Sequence, residues 1–171
     1  MATDDLKDLM ARLVERRSAS GHRRESWTRV SKELFQKLEA LVKEANQGKG
    51  TGISLTARFA NEAAWRSVPV VSIAFDTGPL GLSSPKGQSE VPIMALGAEL
   101  TFCMQMSGMA TVIHGDWKLE GMPWMDAATR KSEVILLAEP VELNNIHLLR
   151  KLVADFIVKA TATHWSTPEK K

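Results

Sequence analysis

The stretch from Glu99 to Trp117 constrains this chain most, because its residues alternate between apolar and polar along the backbone. Leu100, Phe102, Met104 and Met106 take one parity of its first half, and Glu99, Thr101, Cys103 and Gln105 take the other. Successive strand side chains point to opposite faces, so the pattern predicts a hairpin with one apolar and one polar side. A two-residue turn at Ser107-Gly108 sets Met106 opposite Met109, Cys103 opposite Val112, Thr101 opposite His114 and Glu99 opposite Asp116.

The same period of two recurs at Ile53, Leu55, Ala57 and Phe59 and at Val71, Ile73 and Phe75, and the apolar run from Glu133 to Ala138, closed by Pro140, reads as another strand. Residues 77–92 are rich in Gly and Pro and read as a long surface loop. A helical period governs both ends of the chain. Thr3 caps a first helix, whose stripe is Leu6, Leu9, Met10, Leu13 and Val14 and whose end is Ser18-Ala19-Ser20-Gly21. A second helix starts near Ser26, carries Trp27, Val30, Leu34, Leu38, Leu41 and Val42 on one side, and stops at Gly48. The two form a helical hairpin, or the first reaches out to a partner chain. A long helix runs from about Asn145 to His164.

Hairpins and short connections dominate and no βαβ alternation occurs, so the expected class is α+β. The expected architecture is a mostly antiparallel sheet of four to six strands, with the helical hairpin and the C-terminal helix packed on one face. The division is a single domain over 1–165 (hairpin 1–48, sheet 52–139, helix 142–165) and a disordered tail over 166–171. A chain of 171 residues buries a sizeable core without covalent staples. Its single cysteine, Cys103, excludes an internal disulfide and suits a reducing compartment. No apolar run approaches the roughly 20 residues that cross a bilayer, and the first residues are acidic, so the expectation is a soluble, cytoplasmic protein without a membrane partner.

Several residue groups carry chemistry. In the hairpin register above, Cys103 lies diagonal to His114, with Asp116 and Glu99 on the same face. A thiolate activated by an imidazole that a carboxylate orients is a nucleophilic arrangement, and Glu99, His114 and Asp116 are also nitrogen and oxygen donors of the kind metals take. An ordinary polar sheet face uses the same residues, so no metal or cofactor is expected.

Asp76-Thr77-Gly78, following apolar Ile73-Ala74-Phe75, resembles the active-site triplet of aspartic proteases, and Val112-Ile113-His114-Gly115 resembles the apolar segment further along those enzymes. The resemblance covers only these residues, and Pro79 stands where that family has a small residue. It implies a carboxylate pair sharing one proton, which one Asp76 per chain supplies only in a homodimer. A strand ending in Asp-x-Gly-Pro is also good turn chemistry, the reading preferred here.

Gly48-Lys49-Gly50-Thr51-Gly52 leaves a helix and enters a strand, the reverse of a phosphate-binding loop, and reads as a connection. Arg16, Arg17, His22, Arg23, Arg24 and Arg29 are the densest basic group. Glu15 and Glu25 interrupt it, no aromatic platform joins it, and the net charge is only +2, so nucleic acid is not the expected partner. Six of the eight methionines fall between Met94 and Met125, alongside Trp117 and Trp124. Thioethers fill irregular gaps and also line tolerant binding surfaces.

The expectation is therefore a non-catalytic binding or assembly module. Its surface is Met104, Met106, Met109, Trp117, Met122 and Trp124, and its partner is another copy, with a small apolar ligand or peptide as the other occupant. The alternatives are a hydrolase built on Cys103, His114 and Asp116 or on Asp76, and a weak nucleic-acid binder using the basic group.

Overall fold

Alternation of apolar residues produces the central sheet, and the helical stripes cover one side of it. The computed structural model describes residues 2–48, 54–60, 68–75, 78–86, 89–116, 118–120 and 132–165. In chain order it contains α1 (Ala2–Asn46), β1 (Leu55–Ala60), β2 (Val70–Phe75), β3 (Gly78–Lys86), β4 (Ser89–Leu96), β5 (Glu99–Met104), β6 (Ala110–Gly115), β7 (Lys118–Glu120), β8 (Ser132–Ala138), a 3-10 turn (Pro140–Asn144) and α2 (Ile146–Trp165). A five-stranded sheet runs β1-β2-β5-β6-β8, and a three-stranded one runs β3-β4-β7. Every pairing is antiparallel. The chain is α+β.

One parity of the five-stranded sheet forms the core. Leu55, Val71, Ile73, Leu100, Phe102, Ala110 and Val112 are buried in one cluster with Trp27, Leu34, Leu38 and Leu41 of α1 and Leu149, Val153 and Phe156 of α2. Both helices thus cover the same face. Polar groups fix their placement. The Trp27 indole N–H donates to the Pro69 carbonyl at 2.8 Å, and Lys37 Nζ donates to the backbone and side-chain oxygens of Asn144 at 2.7 Å. At the C-terminal end of α1, the Asn46 amide both donates to and accepts from the backbone of Leu55 at 2.9 Å, seating β1 against the helix.

The expected N-terminal helical hairpin is replaced by one continuous helix of 45 residues, about 67 Å long at 1.5 Å per residue. Ser18-Ala19-Ser20-Gly21 contains no proline, and a single interior glycine costs a helix only about 1 kcal/mol. The stripe does not stop there but changes chemistry. Ser20 Oγ donates to the Met106 carbonyl at 3.1 Å, and Arg23 Nε lies 2.9 Å from both carboxylate oxygens of Glu139. Polar contacts to the sheet end stand where apolar ones were expected.

The expected loop over residues 77–92 is also corrected, since β3 and β4 form a hairpin there. Proline is tolerated where a strand lacks a neighbour on one side. β3 is an edge strand, which admits Pro79 and Pro85, and a register shift falls between Pro79 and Ser83. β7 pairs only with Met94 to Leu96, so Pro92 lies beyond the doubly paired part of β4.

Candidate functional site

The β5–β6 hairpin decides the fate of the expected polar cluster. Only Gly108 has a positive φ, +82°, among the described residues. A two-residue turn of type I′ centred on Ser107-Gly108 needs positive φ at both positions, which serine resists. The chain instead closes with Gln105 N–H donating to Met109 O at 2.9 Å, leaving Met106, Ser107 and Gly108 in the loop. One added loop residue shifts the register by one, so Cys103 pairs with Thr111, Leu100 with His114 and Glu99 with Gly115. A slip of one residue turns side chains to the other face.

His114 therefore lies on the core side beside Leu100, 3% exposed, its ring 5.7 Å from that of Phe156 in an edge-on contact. Its Nδ1 is 3.5 Å from Asp116 Oδ1. Cys103 lies on the opposite face, half-buried, and burial pushes its thiol up, away from the thiolate that nucleophilic chemistry requires. The structure brings His114 and Asp116 together and separates both from Cys103. Asp76 lies outside the described residues. Among the described residues no group of three or more His, Cys, Asp or Glu is placed to hold a metal ion.

The expected methionine and tryptophan surface divides. Met104 packs against the core, Met109 is half-buried, and Met106 is exposed at the hairpin loop. Trp117, Met122 and Trp124 lie outside the described residues. Of the basic group, Arg23 is committed to Glu139, while Arg16, Arg17, Arg24 and Arg29 are exposed. Adjacent helix residues diverge by about 100°, so these arginines spread around α1.

The feature that stands out is the first four turns of α1. Every residue from Leu6 to Ser18 is exposed. Leu6, Leu9, Met10, Leu13 and Val14 form an apolar stripe at three- and four-residue spacing, and each is between 49% and 67% exposed. The body first meets the helix at Ala19 and Ser20, which are half-buried, and Trp27 is fully enclosed. The 13 exposed residues of 6–18 span roughly 20 Å of helix, a projecting amphipathic arm. The stripe itself was readable from the sequence; its exposure was not, because periodicity reports a face to be buried and not what buries it.

A smaller apolar area follows β8, an edge strand of the five-stranded sheet, where Val134 and Leu137 are more than half exposed. Among the described residues no helix is long and apolar enough to cross a membrane. No protein-family model, curated protein or solved structure matches this chain.

Proposed function

We infer that this protein is an assembly module that binds a partner chain, most simply a second copy, through the apolar stripe of the α1 arm. The sheet, α2 and the rest of α1 act as the rigid body that presents the arm. The observation carrying this reading is the exposure of Leu6, Leu9, Met10, Leu13 and Val14 on one continuous helix. Fully burying one such side chain is worth about 1.5–3 kcal/mol, so an amphipathic helix left in water gains free energy from any matching apolar face. A contiguous exposed apolar patch rimmed by charge is the usual mark of an interaction surface. A reducing, cytoplasmic setting belongs to this reading and is supported by the single half-buried thiol of Cys103.

The hydrolase reading has less support. Its Cys103 form needed Cys103 beside His114, and the register sets them on opposite faces, while Asp76, the basis of its other form, lies outside the described residues. Sedimentation of the full chain at roughly 1–100 µM, the range of ordinary reversible oligomers, tests the assembly reading. The expected outcome is a dimer that becomes a monomer when Leu9 and Leu13 are both replaced by Glu, with an unchanged circular dichroism spectrum of the body. A monomer across the range, or a dimer indifferent to both substitutions, overturns it.

A further inference from the structure

A β-bulge builds a charge cluster where β6, β8 and α2 meet. The pairing of β6 with β8 slips between Val112 and Ile113, so Ile113 pairs with Val134 and His114 with Glu133. Without that slip Val134 would stand opposite His114. Bulges re-aim side chains, and this one sets a carboxylate rather than an isopropyl group beside the imidazole. Residues directly opposite on antiparallel strands hold their Cβ atoms about 4.5–5.5 Å apart. Asp116 supplies a second carboxylate, with Oδ1 3.5 Å from His114 Nδ1. Lys159 of α2 reaches the first, its Nζ 2.6 Å from Glu133 Oε2. Among the described residues, β5 faces this point with apolar Leu100, because Glu99 falls on the other parity. Asp155 of α2 is turned to Lys151 at 3.4 Å.

We propose that His114 is the proton-binding residue of a pH-sensitive clasp that fastens α2 to the end of the five-stranded sheet. The two carboxylates outnumber the single ammonium, so the cluster balances its charge when the imidazole is protonated. Burial against Leu100 and Phe156 opposes the charged ring, whereas carboxylates within about 4–6 Å favour it. Two carboxylates act on one ring here, and the same proton relieves the repulsion between them. The Glu133 carboxyl already responds to this field. Lys159 chiefly, and His114 to a smaller degree, hold it below the ordinary glutamate range. A histidine that binds its proton more tightly in the folded chain contributes stability that is fully present below its unfolded pKa, about 6.5. That contribution is lost as pH rises through the folded value. Mild acid therefore tightens the contact of α2 with β6 and β8, and alkali slackens it.

NMR titration of the histidine rings in the full chain tests this clasp. The chain has four histidines, His22, His114, His147 and His164, and H114Q assigns the signal of the buried one. Should H114Q not fold, H22Q, H147Q and H164Q assign it by exclusion. The expected result is that His114 keeps its proton to a higher pH than the exposed His22 and His147. E133Q and D116N, both at positions that solvent reaches, are each expected to lower the His114 midpoint. The urea midpoint of the parent chain is expected to fall between about pH 5.5 and 8.5, the range of ordinary imidazole titration, and E133Q to flatten that fall. His114 losing its proton at a lower pH than the exposed histidines overturns the proposal. A His114 midpoint indifferent to both E133Q and D116N overturns it too, because carboxylates with a merely structural role leave the imidazole titration where it was.

Discussion

The two halves of α1 carry stripes of similar apolar content and meet opposite fates. Trp27, Val30, Leu34, Leu38, Leu41 and Val42 are sealed against the sheet, while Leu6, Leu9, Met10, Leu13 and Val14 stand in water. Between them Ser20 and Arg23 hold the helix to the β5–β6 loop and to Glu139 by polar contacts. Amphipathicity is thus one instruction with two outcomes: one half is covered and builds the domain, and the other is left exposed, the half that the proposed assembly would use. Stability measurements on the isolated monomer should respond to one half and ignore the other, and association should do the opposite.

The largest effect belongs to the covered half. Trp27→Ala removes a fully enclosed indole and its hydrogen bond to Pro69, and the expected loss is about 3–5 kcal/mol in urea denaturation. Leu13→Ala, in dilute solution where the chain is monomeric, is expected to change stability by less than about 0.5 kcal/mol. The proposed assembly predicts that the ranking of Leu13→Ala rises at higher concentration, where pairing would bury it. Equal destabilisation by both substitutions in dilute solution would mean that the arm is covered within its own chain.

A second test concerns the junction. A Cβ on Gly108 would lie 2.7 Å from Arg23 Cβ and 3.0 Å from Ser20 O, at a φ of +82° that disfavours side chains. Gly108→Ala is expected to cost about 1–3 kcal/mol and to loosen α1 from the hairpin loop. Its readout beyond stability is faster hydrogen exchange at residues 18–24 of α1. A neutral result would show that the loop and helix are not in contact at that point.

Much of the body was legible in the sequence because burial imposes period. Strand parity at β1, β2 and β5 and the stripes of α2 and the later part of α1 were readable, since each places residues against one apolar core, and β8 was readable as a strand without a parity. The hairpin register was not. It hinges on one backbone angle at Gly108, and that single residue decides whether His114 meets Cys103 or Leu100. Continuity of α1 through Ser18-Ala19-Ser20-Gly21 was also hidden, because its support is tertiary, from Met106 and Glu139 far along the chain. The β3–β4 hairpin escaped for a related reason: Gly and Pro mark loops, but edge and partly paired strands admit them.

That hidden continuity supplies the third test. A Cβ at Gly21 meets nothing within 4 Å, so alanine fits the helix there without rearrangement. Gly21→Ala is expected to raise stability by up to about 1 kcal/mol and to increase helical circular dichroism. A helical hairpin turning at this point would respond in the opposite sense, because alanine opposes a turn. The substitution therefore distinguishes one rigid arm from two folded-back helices.

The smallest effect sits on the polar clasp between the two halves. The Arg23 guanidinium donates to Glu139 and holds its carboxyl below the ordinary glutamate range. A carboxyl whose pKa is lower in the folded than in the unfolded chain stabilises the fold fully above the unfolded value. That contribution is lost as pH falls through the lower, folded value. The pair is partly exposed, so its worth is small and declines with salt. Glu139→Gln should therefore lower the melting temperature slightly near neutral pH, and the gap from the parent should close as the solution becomes acidic. The gap should also narrow at high ionic strength. A gap that is constant with pH and salt would assign the role of Glu139 to its packing and its exchange of hydrogen bonds with Glu142 at the start of the 3-10 turn, leaving Ser20 as the polar tie between the arm and the body.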